Sequence, residues 1–216
     1  MHIPDGFLDI TVCAVTYAVF LAYTAIAFKK VKGRFSPEVS SLVSVLAAAI
    51  FAAQMLNWPL PGGTSLHFVG GALSMILLGP WLGYLPMFLV LLVQCLVFHD
   101  GGITALGANV LNMAIIDGLV GYLCYRMATK LPGNEDLKKG VGAFLGGWLG
   151  ITLAGLFCGL EIGFSPAFPY GIAVTVPVMT GWHAVLGVVE GVITSLVVLY
   201  ISRKAPHLML TGGGRS

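Results

Sequence analysis

ITVCAVTYAVFLAYTAIAFKKVKGR, residues 10–34, decides the class of this protein. Ile10 to Phe28 pass without a charge, and Lys29, Lys30, Lys32 and Arg34 then follow in close succession. A hydrocarbon layer about 30 Å thick takes roughly 20 apolar residues at 1.5 Å rise each. The run therefore predicts a membrane-crossing helix, and the basic cluster marks its cytoplasmic end. Further apolar runs fall at 42–56, 66–78, 82–98, 103–127, 141–160 and 172–201. The 216-residue chain is 57% hydrophobic and 9% charged, with a mean hydropathy of +0.93. Soluble domains carry about 25% charged residues, so a bilayer is the expected solvent.

The remaining bases fix the topology. Arg126, Lys130, Lys138 and Lys139 flank the gap after the fifth run, and Arg203, Lys204 and Arg215 follow the last. Seven crossings with the N-terminus outside put every one of them in the cytoplasm, whereas six or eight would split them between both faces. The outer loops then hold only acids, Asp5, Asp9, Asp100 and Glu161. The expected fold is an all-α integral membrane protein of the cell (inner) membrane. It is a seven-transmembrane-helix bundle in lipid, N-terminus outside and C-terminus cytoplasmic. Residues 1–204 are expected to form one domain opened by a distinct N-terminal segment at 1–9, and residues 205–216, ending LTGGGRS, a flexible tail. The third run is short, starts in a PLPGG turn at Pro59–Gly63 and stops at Gly79-Pro80. Such a segment belongs where backbone lines a protein-buried cavity and not lipid. The chain has 29 glycines, as close helix packing in membranes requires, and the stripe Gly142, Gly146, Gly150 is assigned to internal packing. Cys13, Cys95, Cys124 and Cys158 have no C-x-x-C spacing and read as small apolar fillers.

The N-terminus, MHIPDGFLD, carries the chemistry. Asp5 and Asp9, not a basic region, precede the first apolar run, so no signal peptide is expected and Met1 stays. Histidine is also not the small second residue that methionine removal requires. The Met1 amine and the deprotonated His2 amide close a five-membered ring on a metal, and His2 Nδ1 closes a six-membered one. Three coplanar nitrogens result, and they suit Ni(II) or Cu(II) better than zinc. Because the amide must lose its proton, affinity falls in acid. His67, in PGGTSLH, lies on the same side of the membrane and supplies a fourth nitrogen. Asp5 and His99 (in FHDGG) are candidate supporting groups that orient a ligand. Loops 57–66, 99–102 and 161–171 are expected to cap the site.

Within the membrane, Asp117 of NMAIIDGLVGY and His183 and Glu190 of GWHAVLGVVEG are costly residues that must face the bundle interior. Interhelical hydrogen bonding to Asn109, Asn112 or Gln94 is the favoured reading. An enzymatic His183/Glu190 acid–base pair, seven residues apart on one helix face, is the alternative. No P-loop, H-E-x-x-H or G-x-S-x-G occurs, so ATP hydrolysis and protease or acyl-transfer chemistry are not expected of this chain. No basic aromatic surface points to nucleic acid. The outer loops are poor in Met and Cys, which argues against Cu(I).

MHIPDGFLD, PGGTSLHFVGG, NMAIIDGLVGY, PAFPYG and GWHAVLGVVEGVIT, in this order from Met1 to about Lys204, resemble the NikM/CbiM family. These are substrate-binding (S) components of energy-coupling factor transporters for nickel and cobalt. The resemblance implies seven helices, an extracytoplasmic N-terminus, and a metal held by Met1, His2 and His67. It implies partners: a transmembrane coupling (T) protein, two cytoplasmic ATPases and a small NikN/CbiN-type membrane subunit, which in some relatives is fused at the C-terminus. No such fusion is expected here. The chain itself is then not an enzyme and needs no cofactor; Ni²⁺ is its cargo. The IPDGFLD opening is similar to the nickel branch, whereas cobalt members more often read I-M-E-G, so Co²⁺ uptake for cobalamin synthesis stands second. Metal availability must share in the selectivity, because Cu²⁺ would bind such a site more tightly.

Overall fold

The structure, a computed structural model, describes residues 1–211. Helix α1 (Ile10–Val31) starts at Asp9, whose side chain accepts from the Thr11 amide, and ends in Lys29 and Lys30, which suit the negative end of the helix dipole. Ser36 caps α2 (Pro37–Gln54), with Pro37 in its first turn. A two-stranded antiparallel hairpin, β1 (Asn57–Pro59) and β2 (Ser65–His67), follows and pairs Asn57 with His67. The all-α expectation omitted this hairpin. Its turn is closed by Leu60 and Thr64, with Gly62 at φ +79°. A side chain at Gly62 would be strained in that region.

Helix α3 (Gly71–Leu82) lies at the centre and is buried almost throughout. It breaks at Gly79 (φ 84°, ψ 170°), where Pro80 also leaves the Ile76 carbonyl without its helical donor. Helix α4 (Tyr84–Val93) continues as a π turn, Gln94–Phe98. Helix α5 (Leu106–Val110) passes through a second π turn, Leu111–Ile116, into α6 (Asp117–Thr129). Two long helices close the bundle, α7 (Glu135–Phe164) and α8 (Ile172–Lys204). Glycines let them touch. A Cβ at Gly155 would lie 2.8 Å from the Cβ of His183, and one at Gly146 would lie 2.8 Å from the Gly121 carbonyl of α6. Gly142 and Gly150 also face α6, so this stripe serves internal packing.

Among the described residues five helical rods are long and apolar enough to cross a membrane: α1, α2, the continuous Leu106–Thr129, α7 and α8. The pair α3 and α4, bent by 110°, adds a sixth at most. The expected seven crossings are not established by this length criterion: the third expected span, read as short, and the fourth are helices of 12 and 10 residues joined across the Gly79, Pro80 and Gly83 break. Helices α1 and α2 bury only 22% of their apolar windows inside the protein, which leaves most of their surface for lipid.

The ends of the bundle segregate the chemistry. Met1, His67, His99 and Asp100 share one end. At the other, Arg203 pairs with Asp136 at 2.8 Å, and Tyr23 of α1 reaches the Pro80 carbonyl. The tail expected to be flexible from residue 205 is engaged instead. Pro206–Leu208 form a 3₁₀ turn, the Leu210 amide donates to the Leu77 carbonyl (2.8 Å), and the Thr211 hydroxyl donates to Ile76 (2.6 Å). These donors satisfy carbonyls at the α3 break. The GGGRS stretch at 212–216 lies outside the described residues.

Candidate metal centre

The N-terminus is threaded into the bundle. Met1 and Ile3 are fully buried and His2 is 4% exposed. Backbone groups here need partners, and Asn109 supplies them: its Oδ1 accepts from the Ile3 amide (2.8 Å) and its Nδ2 donates to the Ile3 carbonyl (3.1 Å). The Gly102 amide also donates to that carbonyl. Beyond Ile3, the turn at Gly6 (φ 85°) returns the chain to α1, and the Asp9 amide donates to Ser165 Oγ.

Strand β2 presents the other half. Residues two apart on a strand share a face, so Ser65 and His67 both meet the inserted terminus. The Met1 amine donates to the Ser65 carbonyl (2.6 Å) and to its Oγ (2.7 Å), and the His2 amide donates to the same Oγ (3.2 Å). The His2 and His67 rings stack with centroids 4.5 Å apart and planes within 14°. His67 Nδ1 lies 2.7 Å from the Phe68 carbonyl. A carbonyl only accepts, so Nδ1 carries the proton and Nε2 keeps its lone pair, buried and without a partner. His2 Nε2 sits 3.7 Å from Asp100.

Burial pushes the Met1 amine down to about 4, against small upward pulls from Cys158 and Asp100. Burial, then the charge of the N-terminus, holds His2 and His67 well below the usual imidazole range. The amine and both rings are thus neutral near pH 7, with lone pairs available to a cation. The His2–Asp100 contact is accordingly a neutral imidazole beside a carboxylate and not an ion pair.

Among the described residues no cluster of three or more His, Cys, Asp and Glu side chains is placed to hold a metal. Beside the two rings, the Met1 amine, the His2 amide and the Ser65 oxygens are the further polar groups at this point. The stacked rings impose one further condition. An imidazole binds metal in its own plane, and two parallel planes cannot meet at one ion, so a ring must rotate before both ligate.

The expected supporting groups fall differently. Asp5 accepts from the Ile103 amide, the Thr104 amide (2.7 Å) and the Thr104 hydroxyl (2.5 Å), so it pins the N-terminal segment and orients no histidine. His99 is exposed in left-handed conformation and lines a pocket of about 310 Å³ over the site, with His2, Asn57, Ser65 and Asp100. Glu161 lies inside α7, not in an outer loop, and accepts from Asn112 (2.6 Å). Asp117 and Glu190 accept from backbone amides of residues 69–72, not from Asn109, Asn112 or Gln94. His183 Nδ1 pairs with the Met179 carbonyl (2.6 Å). Ser65 is not singled out in the sequence reading, where Asp100 is named only as an outer-loop acid and Asn109 only as an interhelical hydrogen-bond partner, although Ser65 lies within PGGTSLH and Asp100 within FHDGG.

The family model described as "Cobalt uptake substrate-specific transmembrane region" (CbiM) matches residues 2–208. A "Putative fused nickel transport protein NikMN" from Archaeoglobus fulgidus is 54% identical over 97% of this chain and 68% of its own length. The "Probable fused nickel transport protein LarMN" of Lactiplantibacillus plantarum is 40% identical over 95% of this chain and 66% of its own. The chain thus spans about two thirds of these fused relatives. A "Cobalt transport protein CbiM" from Sorangium cellulosum is 30% identical over 97% of this chain and 94% of its own. The crystal structure of a truncated transition metal transporter superposes with a TM-score of 0.87 at 40% identity, covering 94% of this chain and 99% of that one. With its buried N-terminal nitrogens and multiple membrane-length helices, this chain belongs to the CbiM family of metal-uptake transmembrane proteins.

Proposed function

We propose that this protein is the substrate-capturing S component of an energy-coupling factor importer, and that it binds Ni²⁺ on the outer face. The Met1 amine, the His2 amide and Nδ1, and His67 Nε2 are the four ligands. The observation that carries this reading is the neutral, buried donor set around Ser65, with the proton of His67 fixed on Nδ1 and its Nε2 bare. On this reading the short α3 and α4 each cross within the bundle, giving seven passes with the N-terminus outside and the basic C-terminal end in the cytoplasm. A coupling protein, two ATPases and a small NikN/CbiN-type subunit supply the energy and complete the importer. Co²⁺ is the second cargo; the nickel names of the more similar relatives and the planar nitrogen set favour Ni²⁺.

Catalysis by His183 and Glu190 has little support: both Glu190 oxygens accept backbone amides and His183 Nδ1 is held by a carbonyl. Metal titration of protein with a free Met1, against protein carrying one added N-terminal residue, tests the proposal. One Ni²⁺ with a planar d–d band, lost on extension, is expected. Undiminished binding after extension would remove Met1 from the site and end this reading.

A further inference from the structure

A helix start in a membrane must find acceptors for its free amides. Local side chains commonly serve, but Gly70 stands at the cap of α3 and has none. The acceptors come instead from distant helices. Glu190 of α8 takes the Val69 amide on Oε2 (3.0 Å) and the Gly70 amide on Oε1 (2.7 Å). Asp117 of α6 takes the Ala72 amide on Oδ2 (2.9 Å). Gln54 of α2 donates from Nε2 to the Val69 carbonyl (2.6 Å). All three side chains are fully buried. The backbone is shaped to receive them: Gly70 has φ +84°, and a Cβ at Gly71 would sit 2.6 Å from Asp117 Oδ2.

This clamp begins two residues after His67. Between them Phe68 gives its carbonyl to His67 Nδ1, which fixes the tautomer and the ring's direction. A shift of the 69–70 backbone therefore moves the group that orients His67 Nε2. Glu190 is the sensitive member, since both its oxygens accept; a Gln there would press an NH₂ against an N–H. Asp117 leaves Oδ1 without a partner, so Asn at that position keeps its bond to Ala72.

Resting on the metal-capture reading above, we propose that Glu190, assisted by Asp117, is a positioning residue that sets the His67 ligand through the backbone of residues 68–70. Helix α8, 123 residues away in sequence from His67 at this point, thereby governs the outer metal site.

The test is a double-mutant cycle on the full-length protein with a free Met1, reading Ni²⁺ affinity, the d–d band of the bound ion and the melting temperature. E190Q is expected to weaken Ni²⁺ binding by about tenfold and to shift the band, with D117N weakening it less. In an H67A background E190Q is expected to add less than about twofold, because its target is already gone. Wild-type affinity and band in E190Q would overturn the proposal. So would an E190Q loss that persists undiminished beside H67A, which is the signature of a general structural role. If H67A alone binds nickel like the wild type, the metal-centre reading itself fails, an outcome distinct from either. Should E190Q not fold, E190D, one methylene short of the amides, enters the same cycle with the same expected outcomes.

Discussion

Acidifying the metal-free protein from pH 8 to 6.5 should cost one proton's worth of stability, and that proton belongs to Met1. Folding carries the amine from 8.0 to about 4 by burying it completely. Between those values the unfolded chain holds a proton that the folded chain has shed. Stability therefore rises with pH across this window and is lost as acid is added, at up to about 1.4 kcal/mol per unit in its middle. From pH 8 to 6.5 the amine accounts for about 1.6 kcal/mol, since the unfolded amine is half protonated at pH 8. Below 6.5, His2 and His67 join with the same sign, because both are held well below their ordinary value. The contribution of the three groups then reaches about 4 kcal/mol per unit. The assay is thermal unfolding in detergent, followed by a dye that reacts with the thiols of Cys13, Cys95 and Cys158 as they become exposed. A second sample carries N-formyl Met1, whose amide does not titrate. The difference between the two stability curves isolates the amine from every other titrating group in the chain. A difference slope that grows from about 0.7 kcal/mol per unit at pH 8 to about 1.3 at pH 6.5 is expected, because the unfolded amine is half protonated at pH 8. Parallel curves would refute the burial of a neutral amine.

Three other changes probe the same architecture. Ser65→Ala removes the hydroxyl that accepts from both the Met1 amine and the His2 amide; it should cost about 1–3 kcal/mol in unfolding free energy and weaken Ni²⁺ binding in a titration. Asn109→Leu leaves the Ile3 amide without an acceptor, so the N-terminal segment should become accessible to an aminopeptidase that spares the wild type. Thr211→Val strips the Ile76 carbonyl of the donor that replaces the one lost to Pro80; a loss of about 1 kcal/mol is expected, read as a lower melting temperature with unchanged metal affinity.

Much of the architecture is legible in the chain, because hydropathy reports membrane length directly. Ile10–Phe28 became α1, and runs 141–160 and 172–201 became the cores of α7 and α8. The third and fourth runs were harder to read. The short third run and its stop at Gly79-Pro80 were legible, but a length of apolar residues does not reveal that the two helices meeting there are bent by 110°. The hairpin at 57–67 was missed for a related reason: its strands are three residues each, too short for a period of two to register. Likewise, the polar residue Thr211 gives no local sign that it serves a carbonyl at position 76.

By itself the sequence determined the bilayer as solvent, the basic end of the bundle and the nitrogen groups proposed as metal ligands, a Met-His terminus and a histidine, since each depends on residue type and order alone. Only the tertiary structure decided how those donors are held. Ser65 comes to the amine from a strand 64 positions away, and Asn109 fastens Ile3 from across the bundle. Asp117 and Glu190 close on the amides beside His67, where the sequence had offered them other partners. The physical reason is that a buried polar group is satisfied by whatever packing brings within about 3 Å, and in a helical bundle those neighbours are set by how glycine-lined helices approach, not by distance along the chain.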